Sequence, residues 1–119
     1  MISVTKIFTF DSAHNLKNYD GACKNLHGHT YKLEVTVTGN INNIGMICDF
    51  NELNSLIKNN IILKLDHKYL NDVFEFNPTC EMMVSWIWDK CNNIFYNKEY
   101  SIEKITLWET PTSFATITR

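Results

Sequence analysis

Between Tyr31 and Gly39 apolar and polar side chains alternate without a break. Tyr31, Leu33, Val35 and Val37 fall on one parity, and Lys32, Glu34, Thr36 and Thr38 fall on the other. A two-residue period predicts a half-buried strand with one face on the core and one polar face. Extended backwards, the same parity carries His27 and His29 onto the apolar face. An earlier stretch, Ile2 to Phe10, sets Ile2, Val4, Phe8 and Phe10 against Ser3, Thr5 and Thr9, although Lys6 and Ile7 interrupt the pattern. Gly39 to Gly45 holds two glycines and three asparagines, which predicts a hairpin connection into a short strand at Met46 to Cys48. A last strand, Ile102 to Glu109, puts Ile105, Leu107 and Glu109 on one face, so a carboxylate closes an apolar row.

The period then changes to that of a helix. Asp49 has the character of an N-cap with Glu52 in the capping-box position, and Phe50, Leu53, Leu56, Ile57 and Ile61 follow at helical spacing to an end near Leu65. Asn77-Pro78-Thr79 opens a second helix, with Pro78 near the first helical position and Glu81 in the first turn. Its apolar stripe is Met83, Val84, Ile87, Trp88 and Cys91. Strands and helices in this order predict an α+β fold: an antiparallel four-stranded sheet with two helices on one face. The polar sheet face then meets either water or another subunit.

Composition narrows the class. A chain of 119 residues that is 45% hydrophobic and 13% aromatic can bury a core of its own, and no repeat or linker divides it, so residues 1–119 read as one domain. A net charge of -2 with scattered Lys and Arg argues against a nucleic-acid partner. No export signal or membrane-length apolar run is found, which places the chain in the cytoplasm and away from membranes. The four cysteines, Cys23, Cys48, Cys80 and Cys91, are widely spaced and read as reduced thiols.

The chemistry concentrates in CKNLHGHTYKLEV. Histidines at i and i+2 on a strand project to the same side and can share one tetrahedral cation, with Gly28 between them relieving backbone crowding. His14 falls on the parity of Phe8 and Phe10, so the neighbouring strand can deliver a third imidazole. An HxH pair alone arises often by chance, and the third histidine is what gives it weight. Three neutral nitrogens without a thiolate suit a Zn²⁺ that keeps a position open for substrate or water. Cys23 admits three readings: a zinc ligand, a small buried hydrophobe, or a reactive thiol favoured by Lys24 and a nearby cation. Asp66-His67 is either a surface turn pair or a carboxylate orienting a proton-shuttling imidazole. A thiol hydrolase built on Cys23, His67 and Asp66, and a non-catalytic module held together by zinc, are the rival classes.

In chain order FDSAH, CKNLHGHTYKLEV, CDFNEL, LDHKYLND, NPTCEMMVSWIWD and WETPTSFA resemble the 6-pyruvoyltetrahydropterin synthase family, over nearly the whole chain. The three residues between Cys23 and His27 match its carboxy-forming branch, because the pyruvoyl-forming enzymes carry the cysteine further ahead. The resemblance implies the tunnelling fold, with subunits joined into barrels as a homohexamer and active sites at their junctions. It implies that His14, His27 and His29 bind zinc and that Cys23 is the catalytic thiol. It also implies that Asp66 and His67 relay protons and that Glu109 anchors a pterin ring by accepting two N–H bonds side by side. The implied reaction converts 7,8-dihydroneopterin triphosphate to 6-carboxytetrahydropterin, acetaldehyde and triphosphate in queuosine biosynthesis. The alternative is the pyruvoyl-forming elimination of triphosphate. One position departs from the pattern: Asn15 stands where many relatives have arginine, leaving Lys17 and Lys24 as the nearest cations for the triphosphate.

Overall fold

The alternation of the first strand does not break at Lys6 and Ile7. In the computed structural model, which describes residues 1–119, β1 runs the full length Ser3–His14. Ile7 is 53% exposed on the outer face, while Lys6 lies half-buried on the parity of Phe8 and Phe10. A strict two-residue period therefore reaches Ser12 and His14, both buried. β2 (His27–Gly39) pairs antiparallel with β1, in a register that sets His14 opposite His27, Ser12 opposite His29 and Phe10 opposite Tyr31. The strand that begins with His-Gly-His thus meets the end of the strand that delivers His14.

The helical region starts at α1 (Phe50–Ile57), where Asp49 caps by accepting the Asn51 N–H at 2.8 Å. Glu52 does not close a capping box; its carboxylate pairs with Lys98 across the domain. The backbone widens into a π-helical segment, Lys58–Ile62, before α2 (Leu63–Leu65). The extra residue per turn lets the consecutive Ile61 and Ile62 both face the core. The helix ends at Leu65, as its periodicity predicts. Next come β3 (Lys68–Tyr69), α3 (Leu70–Val73) and α4 (Cys80–Ile94). Thr79, not Pro78, caps α4 by accepting the Met82 N–H; Pro78 sits one residue earlier. Of the predicted stripe Met83, Val84, Ile87 and Cys91 are buried, and Trp88 is half-buried against them.

The sheet is closed by β4 (Tyr100–Thr110) and β5 (Ser113–Thr118), giving five strands in the order β3-β1-β2-β4-β5. Two features correct the expected four-stranded antiparallel sheet. β3 pairs parallel with β1 over two residues, which makes the sheet mixed. The short strand expected at Met46–Cys48 is a loop, while the last pairing comes from β5. The loop satisfies its own backbone: Asn42 Oδ1 accepts the N–H groups of Ile44 and Met46, and the Asn42 N–H donates to the Met46 carbonyl. Both backbone groups of Met46 are thereby taken up within the loop and are not free for a ladder. β5 gave little signal because only Ala115 and Ile117 touch the core, with Phe114 exposed between threonines.

The helices cover one face, as expected, and 25 apolar residues form a single core between helices and sheet. On the other face Trp108 donates to Glu34 at 2.7 Å with Lys32 over its ring, and Thr5 bonds Thr36. The end of β2 approaches β4 closely. A Cβ on Gly39 would lie 2.9 Å from the Glu99 carbonyl oxygen and 3.2 Å from Tyr100 Cα, both backbone atoms that cannot swing away. Gly39→Ala should therefore destabilise the fold by about 1–3 kcal/mol, read as a lower denaturant midpoint at unchanged slope. A midpoint equal to wild type would show that the strand ends can separate.

Candidate metal centre and active site

The two inward parities of β1 and β2 converge at one end of the sheet, where the imidazoles of His14, His27 and His29 form a cluster with nitrogens within 4.8 Å of one another. Their hydrogen bonds fix the tautomers. His14 Nδ1 lies 2.9 Å from the Pro78 carbonyl oxygen, and His27 Nδ1 lies 2.7 Å from that of Asn25. A carbonyl only accepts, so in each ring Nδ1 carries the proton and Nε2 the lone pair. The two Nε2 atoms face each other at 2.9 Å. Lone pairs aimed at one another repel unless a cation lies between them, and donors ~2.0–2.1 Å from a tetrahedral ion sit ~3.3 Å apart. Burial holds the His14 and His29 imidazoles below their usual pKa, which keeps them neutral and ready to coordinate.

Glu109 reaches the same point from β4. Its Oε1 is 3.4 Å from His14 Nε2 and 3.7 Å from His29 Nε2. Three imidazole nitrogens make a donor set that suits zinc with one position open, and the carboxylate adds negative charge beside it. Glu109 also lines a cleft of about 390 Å³ with Cys80, Glu81, Ser113, Phe114 and Ala115, so the carboxylate separates the triad from the cleft. Gly28 does not have the role expected of it. A Cβ there would meet only the Ser12 carbonyl oxygen at 3.6 Å, an ordinary contact, so crowding does not require glycine.

Asp66 and His67 are brought together, with Asp66 Oδ1 3.0 Å from His67 Nδ1. Asp11 builds this turn through its backbone. Its N–H donates to Asp66 Oδ1 at 2.9 Å, and its carbonyl accepts the His67 N–H at 2.6 Å. His67 sits at φ 59, in the left-handed region, where these bonds hold it. The Asp11 N–H, then His67, hold the Asp66 carboxyl below its usual pKa. Within one chain, however, this pair does not join the triad. Asp11, Asp66 and His67 form a separate cluster, and Asp11 and Thr30, which bond each other, stand on the parity opposite to His14 and His29. His67 is 79% exposed and opens onto a groove of about 590 Å³ across the sheet end, lined by Asp11, Ala13, Thr30 and Tyr69 and also by His29 of the triad.

Cys23 lies half-buried on a 3₁₀ turn, Ala22–Lys24, in the loop between β1 and β2. It belongs to neither cluster: its sulfur does not group with the three imidazoles. Cys48, Cys80 and Cys91 are buried, as their patterns predict. Asn15 does not face the site freely: its Oδ1 accepts the Tyr69 hydroxyl at 2.5 Å, which ties the end of β1 to β3.

This arrangement has counterparts. Residues 3–119 match the family model described as 6-pyruvoyl tetrahydropterin synthase. The chain belongs to the 6-pyruvoyl tetrahydropterin synthase family. It is 35% identical to the 6-carboxy-5,6,7,8-tetrahydropterin synthase of Haemophilus influenzae, over 96% of each chain. To the 6-pyruvoyl tetrahydrobiopterin synthase of Dictyostelium discoideum it is 33% identical, over 95% of this chain and 93% of that one. The fold matches the Caenorhabditis elegans 6-pyruvoyl tetrahydropterin synthase structure with a TM-score of 0.87 at 24% identity, over 99% of this chain and 95% of that one. The fold is therefore the tunnelling fold of the family, whose members process pterins.

Against this family frame, the groups that residue patterns did not reveal are backbone ones: the Pro78 and Asn25 carbonyls that orient His14 and His27, and the Asp11 amide and carbonyl that shape the Asp66-His67 turn. Residue type carries no trace of which carbonyl faces a distant ring. The one legible hint was Pro78, read only as a helix-start signal.

Proposed function

We propose that the chain is a zinc-dependent 6-carboxytetrahydropterin synthase, a carbon-carbon lyase acting on 7,8-dihydroneopterin triphosphate in the cytoplasm, within queuosine biosynthesis. The convergence of the His14, His27 and His29 lone pairs beside Glu109 at the mouth of a cleft carries this reading. The carboxy-forming branch is supported by the short Cys23-to-His27 spacing and by the likeness to the Haemophilus influenzae enzyme.

His14, His27 and His29 would hold the zinc ion, which when bound supplies Lewis acidity to the substrate's side-chain hydroxyl oxygens. Glu109 accepts two N–H bonds from the amino-pyrimidinone edge of the pterin and fixes its orientation in the cleft. The Cys23 thiolate takes a carbon-bound proton from the side chain. His67, oriented by Asp66, returns protons as the ring is reduced and as a water molecule cleaves the side chain, its oxygen entering the carboxyl group and acetaldehyde leaving. The side chain supplies the electrons, so no external reductant enters. Lys17 and Lys24, both exposed, are the cations available to the triphosphate, since the Asn15 side chain is engaged by Tyr69.

That the relay pair clusters with Asp11 and not with the triad supports a site completed by a second copy of the chain. So does the shape: the radius of gyration is 15.2 Å, against about 13.5 Å for a compact globule of this length. We propose a homohexamer, with the polar sheet face turned to a central tunnel. No helix is long and apolar enough to cross a membrane.

Incubation of the zinc-loaded protein with 7,8-dihydroneopterin triphosphate, followed by mass analysis, should yield 6-carboxytetrahydropterin with acetaldehyde. A product that keeps its three-carbon side chain would move the chain to the pyruvoyl-forming branch, and no turnover would refute both. Full activity after chelation would favour a thiol hydrolase instead. Sedimentation should find an oligomer, and a fully active monomer would contradict the shared site.

A further inference from the structure

After His14 the chain leaves the sheet, runs out to Cys23 and returns as β2, and two asparagines from distant elements grip its start. Asn71, half-buried in α3, accepts the Asn15 N–H through Oδ1 at 3.0 Å and donates Nδ2 to the Asn15 carbonyl at 2.9 Å. Asn77, half-buried ahead of α4, treats Lys17 the same way, accepting its N–H at 2.8 Å and donating to its carbonyl at 3.1 Å. A carboxamide offers one acceptor and a donor pair, so each side chain replaces the partner residue that a neighbouring strand would supply. Between these two residues the Leu16 N–H points the other way and donates to the Cys23 carbonyl at 2.8 Å. The bonds alternate along the chain: Asn71 on residue 15, Cys23 on residue 16, Asn77 on residue 17.

The same segment also sets the metal centre. Asn77 is followed by Pro78, whose carbonyl holds His14 Nδ1, and by Thr79, which caps α4. The distance between triad and thiol is thereby fixed through one short stretch anchored to a helix. We propose that Asn71 and Asn77 are positioning residues for Cys23, holding its loop in register with the metal centre. The catalytic consequence rests on Cys23 being the base, whereas the positioning itself does not.

The experiment compares Asn71→Ala, Asn77→Ala and the double variant with wild type. It reads zinc per chain, far-UV circular dichroism, kcat and KM with the pterin substrate, and the rate at which iodoacetamide modifies the Cys23 peptide. The other three cysteines are buried, so alkylation of the folded protein reports on Cys23. The double variant should keep its zinc and fold while Cys23 alkylation accelerates several-fold and kcat falls by about 10²-fold at nearly constant KM, as expected for a misplaced reacting group. Asn77→Asp, which keeps the acceptor for the Lys17 N–H and loses the donor, should recover part of both changes. Alkylation and kcat at wild-type values in folded, zinc-loaded variants would overturn the proposal. If the double variant does not fold, Asn71→Asp and Asn77→Asp carry the same readouts. If Cys23→Ala keeps full activity, the base assignment fails, and the alkylation rates still decide the clamp.

Discussion

Cys23→Ala is expected to retain one zinc per chain and a wild-type fold while product formation falls by at least the ~10²–10⁴-fold that a general base contributes. The geometry separates the two properties. Cys23 stands outside the cluster of His14, His27 and His29, so truncating it removes no ligand. It is half-buried on a 3₁₀ turn away from the apolar core, so truncation leaves no large cavity. KM should change little, because Glu109 and the metal centre would still hold the pterin and its side chain. Zinc by elemental analysis and product by mass, in the same preparation, check the result. Lost zinc would make Cys23 a ligand, and retained turnover would remove it from the chemistry. Mixing subunits gives a second arm. Oligomers reassembled from inactive Cys23→Ala and His67→Ala chains should regain activity, because some junctions then join an intact Cys23 to another chain's intact His67. No recovery would place thiol and imidazole in one chain's site.

His27→Ala or His29→Ala is expected to strip the zinc from an otherwise folded protein. Each removes one of three protein ligands, so affinity should fall by well beyond the ~10–100-fold that follows loss of an outer-shell partner. The fold should survive, since 25 apolar residues build the core without the metal. This separates a catalytic centre from a zinc-stabilised module, in which metal loss and unfolding coincide. Zinc content and thermal melting of the purified variants check both halves. Wild-type zinc in His29→Ala would sink the triad, and unfolding of metal-stripped wild type would favour the module.

The triad was legible in the sequence because strand periodicity reports side-chain direction. HGH on the parity of Tyr31, Leu33 and Val35, and His14 on that of Phe8 and Phe10, were enough to send three imidazoles to one side of two strands. The N-cap Asp49 and the end of the helix at Leu65 were legible for a related reason: capping and helical spacing are written within a few residues. The same local logic failed where local bonds competed with pairing. Met46–Cys48 had strand-like residues, but Asn42 closed the loop on itself. β5, with two core contacts among threonines, offered too little hydrophobic pattern to register.

Spacing also could not say which sheet face would carry Asp66 and His67. That was decided by two bonds to the backbone of Asp11, some 55 residues earlier in the chain, which hold His67 left-handed at the sheet end, clustered with Asp11 and not with the triad. The Pro78 carbonyl on His14, and the grip of Asn71 and Asn77 on residues 15 and 17, likewise join segments more than fifty residues apart. The sequence by itself determined which side chains could bind a cation and from which strands. Only the tertiary structure decided how those side chains are oriented and which of them share a site, because backbone groups are the same in every residue and acquire partners only when the chain has closed on itself.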